Sequence, residues 1–152
     1  MNPSERLTSL NLSLPNTATP VGSYVPALKT GRDVYTSGQL PMREGRLTCT
    51  GKVGADVTLA DAADAAELAA LNAVAAVASV AGGIDRIDQI VKVTVFVNSA
   101  PGFTDQPKVA NGGSNLLAEI FGNAGKHARS AVGVAELPLN AAVELELIAR
   151  VK

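Results

Sequence analysis

One arginine and two glutamates near the C-terminus have the residue types and spacing needed to bind and hydrolyse a small molecule. Glu144 and Glu146 alternate with apolar residues, so a strand here would place both carboxylates on one face. Arg129 opens another strand-like segment just upstream. A guanidinium can bind a carboxylate through two hydrogen bonds, and a nearby Glu can orient or deprotonate a water. The same pattern is also typical of a solvated strand face, and charge alone does not separate the two interpretations.

Histidine and cysteine, two other residue types common in catalytic sites, each occur once in the chain. His127 is the only histidine and lies in a polar stretch, which predicts a solvated loop residue. Cys49 is the only cysteine, and its polar flanks indicate a semi-exposed thiol rather than a nucleophile. One His and one Cys cannot supply the usual four ligands of a zinc site, and one Cys cannot form an internal disulfide. Phosphate-binding glycine loops and the HExxH and GxSxG motifs are absent.

Length and composition predict one domain over residues 1–152, with residues 1–20 as an N-terminal extension. The 152 residues have a formal net charge of −1 and only 3% aromatic residues, so phosphate neutralisation and base stacking are weak and no nucleic-acid partner is expected. The N-terminus has no continuous apolar segment of a signal peptide. The longest apolar stretch, residues 69–81, is interrupted by Asn72 and Ser79, so no membrane span and a cytoplasmic location are expected.

The first elements expected from the chain are two strands, over residues 24–29 and 34–40, joined by a hairpin turn at 30–33. A short strand is possible at 47–49. Thr58 has the character of a helix N-cap, and the helix it begins should end near Ala81, before Gly82 and Gly83. Small residues recur along it at helical spacing, which allows close packing on a sheet. This stripe consists of Ala63, Ala66, Ala70, Ala73, Val77 and Val80.

The second half of the chain predicts a strand at 90–97, a helix at 106–121 and two strands at 129–137 and 142–151. Gly112 and Gly113 lie inside the predicted helix and make it the less regular of the two. The last two strands flank a turn at 138–141 and are expected to form a hairpin. The order ββ(β)αβαββ indicates an α+β sandwich with a mixed sheet and both helices on one face. Another subunit is expected to cover the other face.

Five segments together resemble the RidA/YjgF family of reactive-intermediate (enamine/imine) deaminases. Two of them are ARSAVGVAELP at 128–138 and VELELIA at 143–149. The others are GSYV at 22–25, TSGQLP at 36–41 and IVKVTVFV at 90–97. All occur in the family's order, and the resemblance extends from residue 20 to the C-terminus.

The resemblance implies a chorismate mutase-like fold and a homotrimer with clefts between subunits. It implies hydrolysis of 2-imino acids to 2-keto acids and ammonia, without a metal or cofactor. Arg129 matches the arginine that binds the substrate carboxylate, and Glu144 matches the acid that positions the hydrolytic water. The expected substrate-binding residues are Tyr24, Ser37, Gly38, Asn111, Ser130 and Ala131.

Two departures from the family pattern affect the expected substrate more than the fold. Ala131 occupies the position of a cysteine common in these deaminases, and the loop at 42–56 is longer than in the shorter members. Two other functions are compatible with the sequence. One is a trimer that binds small carboxylates without catalysis. The other is an endoribonuclease, which the net charge and sparse aromatic residues disfavour.

Overall fold

A mixed five-stranded sheet lies beneath two long helices in the computed structural model, which describes residues 1–17, 20 and 22–152. The sheet order is β1-β2-β7-β5-β6, with β5 and β6 parallel and the other neighbours antiparallel. The strands are β1 (Ala27–Thr30), β2 (Asp33–Thr36), β5 (Ile87–Asn98), β6 (Ala128–Val134) and β7 (Val143–Val151). A separate ribbon consists of β3 (Met42–Arg43) and β4 (Arg46–Leu47). The α+β class, the mixed sheet and the β1–β2 hairpin are confirmed.

The longest helix, α2 (Leu59–Ala81), has the predicted start and end. The Thr58 hydroxyl accepts a hydrogen bond from the Asp61 backbone N–H at 3.1 Å, and Gly82 ends the helix at φ 90°. Residues 68–78 are buried on every side of the helix. Asn72 is accommodated there because its amide donates to the backbone oxygens of Leu40 and Met42, both at 3.0 Å.

The helix α2 is also long and apolar enough to resemble a membrane-spanning segment. Its 23 residues, with a mean hydropathy of 1.4 over the most apolar 18-residue window, would suffice to cross a membrane by length and composition, whereas the interrupted stretch at 69–81 alone is too short. However, 72% of its most apolar window is buried inside the domain. That burial is typical of a core helix packed within its own domain.

The second long helix, α3 (Gln106–Phe121), has the predicted bounds despite its internal glycines. Gly112 lies against α2 so closely that a Cβ atom there would overlap the carbonyl oxygen of Ala63. Because Gly112 has no side chain, α3 can pack closely against α2. The helix also forms the crossover between the parallel strands β5 and β6, which places it over β6.

A short N-terminal helix, α1 (Pro3–Ser9), was not expected in the extension. Asn2 and Glu5 form a capping box at its start. Ser4 joins it to the domain, with its backbone N–H and hydroxyl donating to the two carboxylate oxygens of Asp85 at 2.8 and 2.7 Å. Part of the extension is therefore packed on the domain.

The predicted C-terminal hairpin is wrong. Strands β6 and β7 do not pair with each other, because β5 lies between them and pairs with both. The connection between β6 and β7 crosses this strand at residues 135–142, through a short 3₁₀ turn at Pro138–Asn140. Strands that are close in sequence need not pair, and here both strands pair with β5.

Strand ends and the phase of β5 also differ from the prediction. β1 begins at Ala27 rather than Tyr24, β2 ends at Thr36 rather than Leu40, and β6 ends at Val134 rather than Leu137. In β5, a register shift between Ile90 and Lys92 moves Val91 off the buried face. The short ribbon occupies 42–47 instead of a strand at 47–49, and β7 begins one residue later than predicted.

Replacing Gly112 with Ala is expected to destabilise the protein. The added Cβ has no room against the α2 backbone, so the helices must separate, and overpacking of this kind costs about 1–3 kcal/mol. Urea denaturation of Gly112→Ala should show this loss in the free energy of unfolding. The exposed Asn115→Ala on the same helix should stay within about 0.5 kcal/mol of the wild type. Equal stability of the two variants would contradict the close helix contact.

Candidate functional site

Arg129 lies on the edge strand β6, with its side chain on the helix-covered side of the sheet. It pairs in register with Val93, which is fully buried in the core. Its Nη1 donates to Asn111 Oδ1 at 2.9 Å and to Ser114 Oγ at 3.1 Å, and its Nη2 donates to the Pro107 carbonyl at 3.4 Å. All three acceptors belong to α3 and are uncharged. The helix therefore holds the guanidinium without neutralising it.

The guanidinium of Arg129 keeps capacity for an anion. It has five N–H groups, and the three hydrogen bonds to α3 use two on Nη1 and one on Nη2. One N–H on Nε and one on Nη2 remain, the number that a bidentate carboxylate needs. Within residues 1–17, 20 and 22–152, no carboxylate forms an ion pair with Arg129.

His127 is not the solvated loop residue that its polar flanks predicted. The imidazole is partly buried between α3 and the start of β6. Its Nδ1 lies 2.6 Å from the Gly125 carbonyl oxygen, and its Nε2 lies 2.9 Å from Ser114 Oγ. Ser114 was missed by the sequence analysis, although its i, i+3 spacing from Asn111 puts both on one helix face.

A cleft of about 320 Å³ lies at this end of β6, lined by Ser114, Ala118, Gly125, Lys126, His127 and Arg129. Its volume is within the range of small-molecule sites. Two of its lining residues, Lys126 and Arg129, are basic, and none is acidic. The cleft therefore suits an anionic ligand.

Glu144 lies on the opposite, open face of the sheet. It pairs with Phe96 of β5, whereas the neighbouring Leu145 faces the buried core. The carboxylate lies directly on Gly38, where a Cβ atom would overlap its Oε1. This contact brings together two of the residues expected at the site, and it explains why residue 38 has no side chain.

An irregularity between β2 and β7 creates the space that Gly38 occupies. The Thr36 side chain, through Oγ1, accepts the backbone N–H of Leu147 at 3.0 Å. Backbone pairing resumes between Gln39 and Leu145, with two hydrogen bonds of 2.7 and 2.9 Å. Two residues of one strand thus oppose one of the other, as in a β-bulge, and the extra residue places Gly38 against Glu144.

The pKa of Glu144 is raised above its ordinary value of 4.5. The larger cause is burial, which disfavours the charged carboxylate, and the smaller cause is repulsion from Glu146 two residues along the same face. A carboxyl group with a raised pKa is suited to accept and return a proton closer to neutral pH.

Ser37, the residue before Gly38, is hydrogen-bonded to the segment that follows Tyr24. Its hydroxyl donates to the Val25 carbonyl at 2.6 Å, and its backbone N–H donates to the Pro26 carbonyl at 2.8 Å. Tyr24, the residue before Val25, is 48% exposed. Tyr24, Ser37, Gly38 and Glu144 therefore share one region of the chain's surface.

The structure divides the expected site residues into two groups. Arg129, Asn111 and Ala131 lie on the helix-covered side, since Ala131 pairs with the core residue Val95. Tyr24, Ser37, Gly38 and Glu144 form the second group. Ser130 is exposed and pairs with Thr94, which places it on the open face, as Glu144 is. The expected placement of Arg129 and Glu144 on adjacent strands is wrong, because β5 separates them.

Cys49 is partly buried, as expected for a semi-exposed thiol. Burial, with a smaller contribution from the nearby Asp61 carboxylate, raises its pKa above 9.0, so the thiol form is favoured at neutral pH. Across the part of the chain that the structure describes, no group of three or more His, Cys, Asp or Glu side chains could hold a metal ion.

Comparison with known proteins gives a family match over almost the whole chain. The family model described as "YjgF/chorismate mutase-like, putative endoribonuclease" matches residues 4–151. The chain belongs to this family. The chorismate mutase-like fold expected from the resemblance is thereby confirmed, and the YjgF-family match includes most of α1 as well as the sheet.

Two curated relatives of the chain have different names. Protein TCP17 of Trypanosoma cruzi is 42% identical over 143 residues, covering 93% of this chain and 89% of the relative. A 2-iminobutanoate/2-iminopropanoate deaminase of Dermatophagoides farinae is 34% identical over 139 residues, covering 90% and 92%.

Solved structures of the same fold include one of a protein of unknown function from Agrobacterium tumefaciens. It is 45% identical, covers 98% of this chain and 91% of its own, and superposes with a TM-score of 0.88. The structure of E. coli TdcF with bound serine is 29% identical, covers 88% and 91%, and has a TM-score of 0.64. A small molecule thus binds to one member of the YjgF family.

The raised pKa of Glu144 should fall when Glu146 is replaced by Gln. The substitution removes the repelling carboxylate and leaves the burial, so the pKa should move part of the way back towards 4.5. Titration of the side-chain carboxyl by ¹³C NMR measures it directly. Glu136→Gln, an exposed change on a different segment, is the control and should leave the Glu144 titration unchanged. An unchanged pKa in Glu146→Gln would contradict the assigned interaction.

Proposed function

We propose that the protein hydrolyses 2-imino acids to 2-keto acids and ammonia. The observation that carries this proposal is the Arg129 guanidinium, which neutral groups of α3 hold while two N–H groups stay available for a carboxylate. The deaminase name of the Dermatophagoides farinae relative supports the same reaction. In this proposal Arg129 binds the substrate carboxylate and Glu144 acts on water.

The two groups would meet between copies of the chain. Arg129 and Glu144 lie on opposite sides of one sheet, so a small substrate that touches both requires Arg129 of one copy and Glu144 of another. The open face has apolar side chains that a second copy would bury, among them Leu28 and Tyr35, which are 60% and 45% exposed and pair with each other. We propose that this assembly is the homotrimer that the family resemblance implies.

The reaction requires only positioning and proton transfer. The imine carbon is already electrophilic, and the Arg129 ion pair would fix it by the adjacent carboxylate. Glu144 would remove a proton from water as the water oxygen bonds to the imine carbon, and the C=N nitrogen takes up a proton from solvent as the double bond opens. The resulting carbinolamine then loses ammonia as its hydroxyl proton passes to solvent and the C=O bond forms, with Glu144 returning its proton to the leaving nitrogen. The net change is imine plus water to keto acid plus ammonia.

Two observations favour specific alternatives. The bound serine of E. coli TdcF supports a protein that binds small carboxylates without turning them over, which would use the same arginine. The words "putative endoribonuclease" in the family description suggest cleavage of RNA. A net charge of −1 and 3% aromatic residues give little with which to hold a phosphate backbone or stack bases. The ribonuclease is therefore the weaker alternative.

Substituting Glu144 and Arg129 separately should remove different parts of the activity. Glu144→Gln removes the proton acceptor and should lower kcat by about 10²–10⁴-fold. Arg129→Ala removes a charge-assisted bond of about 1.5–3 kcal/mol and should raise KM by about 10–100-fold. The assay generates 2-iminobutanoate with an amino-acid oxidase and measures its loss in competition with semicarbazide.

The matched controls are Glu136→Gln and Arg46→Ala, both exposed and remote from the two groups, and both should retain wild-type rates. Binding of 2-oxobutanoate, followed by NMR, distinguishes the alternatives. A deaminase keeps this binding in Glu144→Gln while turnover collapses. A wild-type protein that binds 2-oxobutanoate but does not accelerate imine loss is a binder, and undiminished turnover in Arg129→Ala contradicts the role of Arg129.

A further inference from the structure

A continuous chain of hydrogen bonds runs behind Arg129. It begins at the Gly125 carbonyl and continues through the His127 imidazole and the Ser114 hydroxyl to Nη1 of Arg129, with distances of 2.6, 2.9 and 3.1 Å. Of the residues in this hydrogen-bond chain, only Arg129 has a role in the proposed function. Ser114 and His127 belong to neither the family resemblance nor the proposed reaction.

The chemistry of the groups sets the direction of each bond. A backbone carbonyl oxygen only accepts, so Nδ1 of His127 must carry the hydrogen and donate it to Gly125. In the neutral ring, Nε2 is then an acceptor and takes the hydroxyl hydrogen of Ser114. The Ser114 oxygen is left with its lone pairs directed away from that hydrogen, and one of them accepts Nη1–H of Arg129.

The imidazole thus fixes a hydroxyl that would otherwise rotate. A serine hydroxyl can direct its hydrogen into any of several orientations, and one of these would point it at the guanidinium. His127 removes that orientation, so Ser114 presents only an acceptor to Arg129. Asn111 accepts from the same Nη1, and the two bonds come from residues one turn apart on α3.

A fixed guanidinium binds a carboxylate better than a mobile one. An arginine side chain has a large rotamer entropy, and the part lost before the ligand arrives does not oppose binding. Among the residues that the structure describes, the partners in the side-chain hydrogen bonds of Arg129 all belong to α3. Restriction has to come from α3 and from the residues that orient its side chains.

We propose that Ser114 and His127 are positioning residues that preset Arg129 for the carboxylate of the substrate. This inference rests on the proposed role of Arg129 as the carboxylate-binding group. Neither residue touches the reacting atoms in this account, so both should act on substrate affinity rather than on the chemical step.

Paired substitutions test the hydrogen-bond chain. Ser114→Ala should raise KM for 2-iminobutanoate by about 10-fold with kcat nearly unchanged, while Ser114→Thr, which keeps the hydroxyl, should lie close to wild type. At residue 127, Gln places an amide oxygen near the position of Nε2 and can still accept from Ser114. Asn reaches only the position of Nδ1. His127→Gln should therefore rescue KM, and His127→Asn should not.

A spectroscopic measurement does not depend on turnover. Because His127 is the only histidine, ¹H–¹⁵N spectra contain one set of imidazole signals from the untagged chain. The spectrum at neutral pH should show hydrogen on Nδ1. Adding 2-oxobutanoate should shift the ring signals in the wild type through Arg129 and Ser114, and the shift should be much smaller in Ser114→Ala.

The possible outcomes separate this inference from the proposed function. Wild-type KM and unreduced His127 shifts in Ser114→Ala, with Arg129→Ala still defective, would overturn the positioning role alone. A defect in kcat rather than KM, or equal KM values for the Gln and Asn variants of His127, would also overturn it. No effect of Arg129→Ala on KM or on 2-oxobutanoate binding would instead overturn the assignment of Arg129 on which the inference depends.

Discussion

The pairing of β5 with two partners determines where Arg129 and Glu144 lie. β5 is parallel to β6 on one edge and antiparallel to β7 on the other. A parallel pair cannot be joined by a tight turn, and the required crossover is α3. The crossover lays α3 over β6, where its uncharged side chains reach Arg129. The antiparallel partner β7 directs Glu144 to the face opposite α3, where Phe96 is its neighbour on β5.

Arg129 and Glu144 lie in opposite electrostatic settings. On the helix side, Arg129 is held by neutral acceptors beside Lys126 and keeps its positive charge available. On the open side, burial and the charge of Glu146 raise the pKa of Glu144. One side therefore favours an anion and the other favours a group that takes up a proton. Imine hydrolysis by a carboxylate-bearing substrate needs both properties.

Local signals in the sequence predict the two long helices accurately and the strands less well, and they miss the short helix α1. The caps of α2, Thr58 and Gly82, are residue types that favour helix ends at those positions, so both ends of this helix could be predicted. Gly112 weakens the local signal for α3. A glycine is needed there because of the close contact with Ala63 of α2, which the local sequence does not record. The bulge at Val91 and the separation of β6 from β7 depend on strand pairing that no local pattern records.

The candidate site shows the same limit. The resemblance selected Arg129 and Glu144, but their positions on opposite sides of the sheet follow from topology alone. His127 was taken for a solvated residue because its sequence neighbours are polar. Its partner Ser114 is 13 residues away on α3. The contact of Gly38 with Glu144 depends on the irregular pairing of β2 with β7, which a pattern of alternating residues does not reveal.

The central claim is that one reaction site combines Arg129 of one copy with Glu144 of another. The direct test unfolds and refolds Arg129→Ala and Glu144→Gln together in equal amounts and measures imine hydrolysis in the reassembled protein. If each site takes one group from each of two copies in a closed ring, random mixing restores complete sites in about a quarter of cases. At a substrate concentration below the wild-type KM, the account predicts activity near that fraction of wild type, from two variants that each keep about a tenth of it or less alone. Activity no higher than the mean of the separate variants would contradict it.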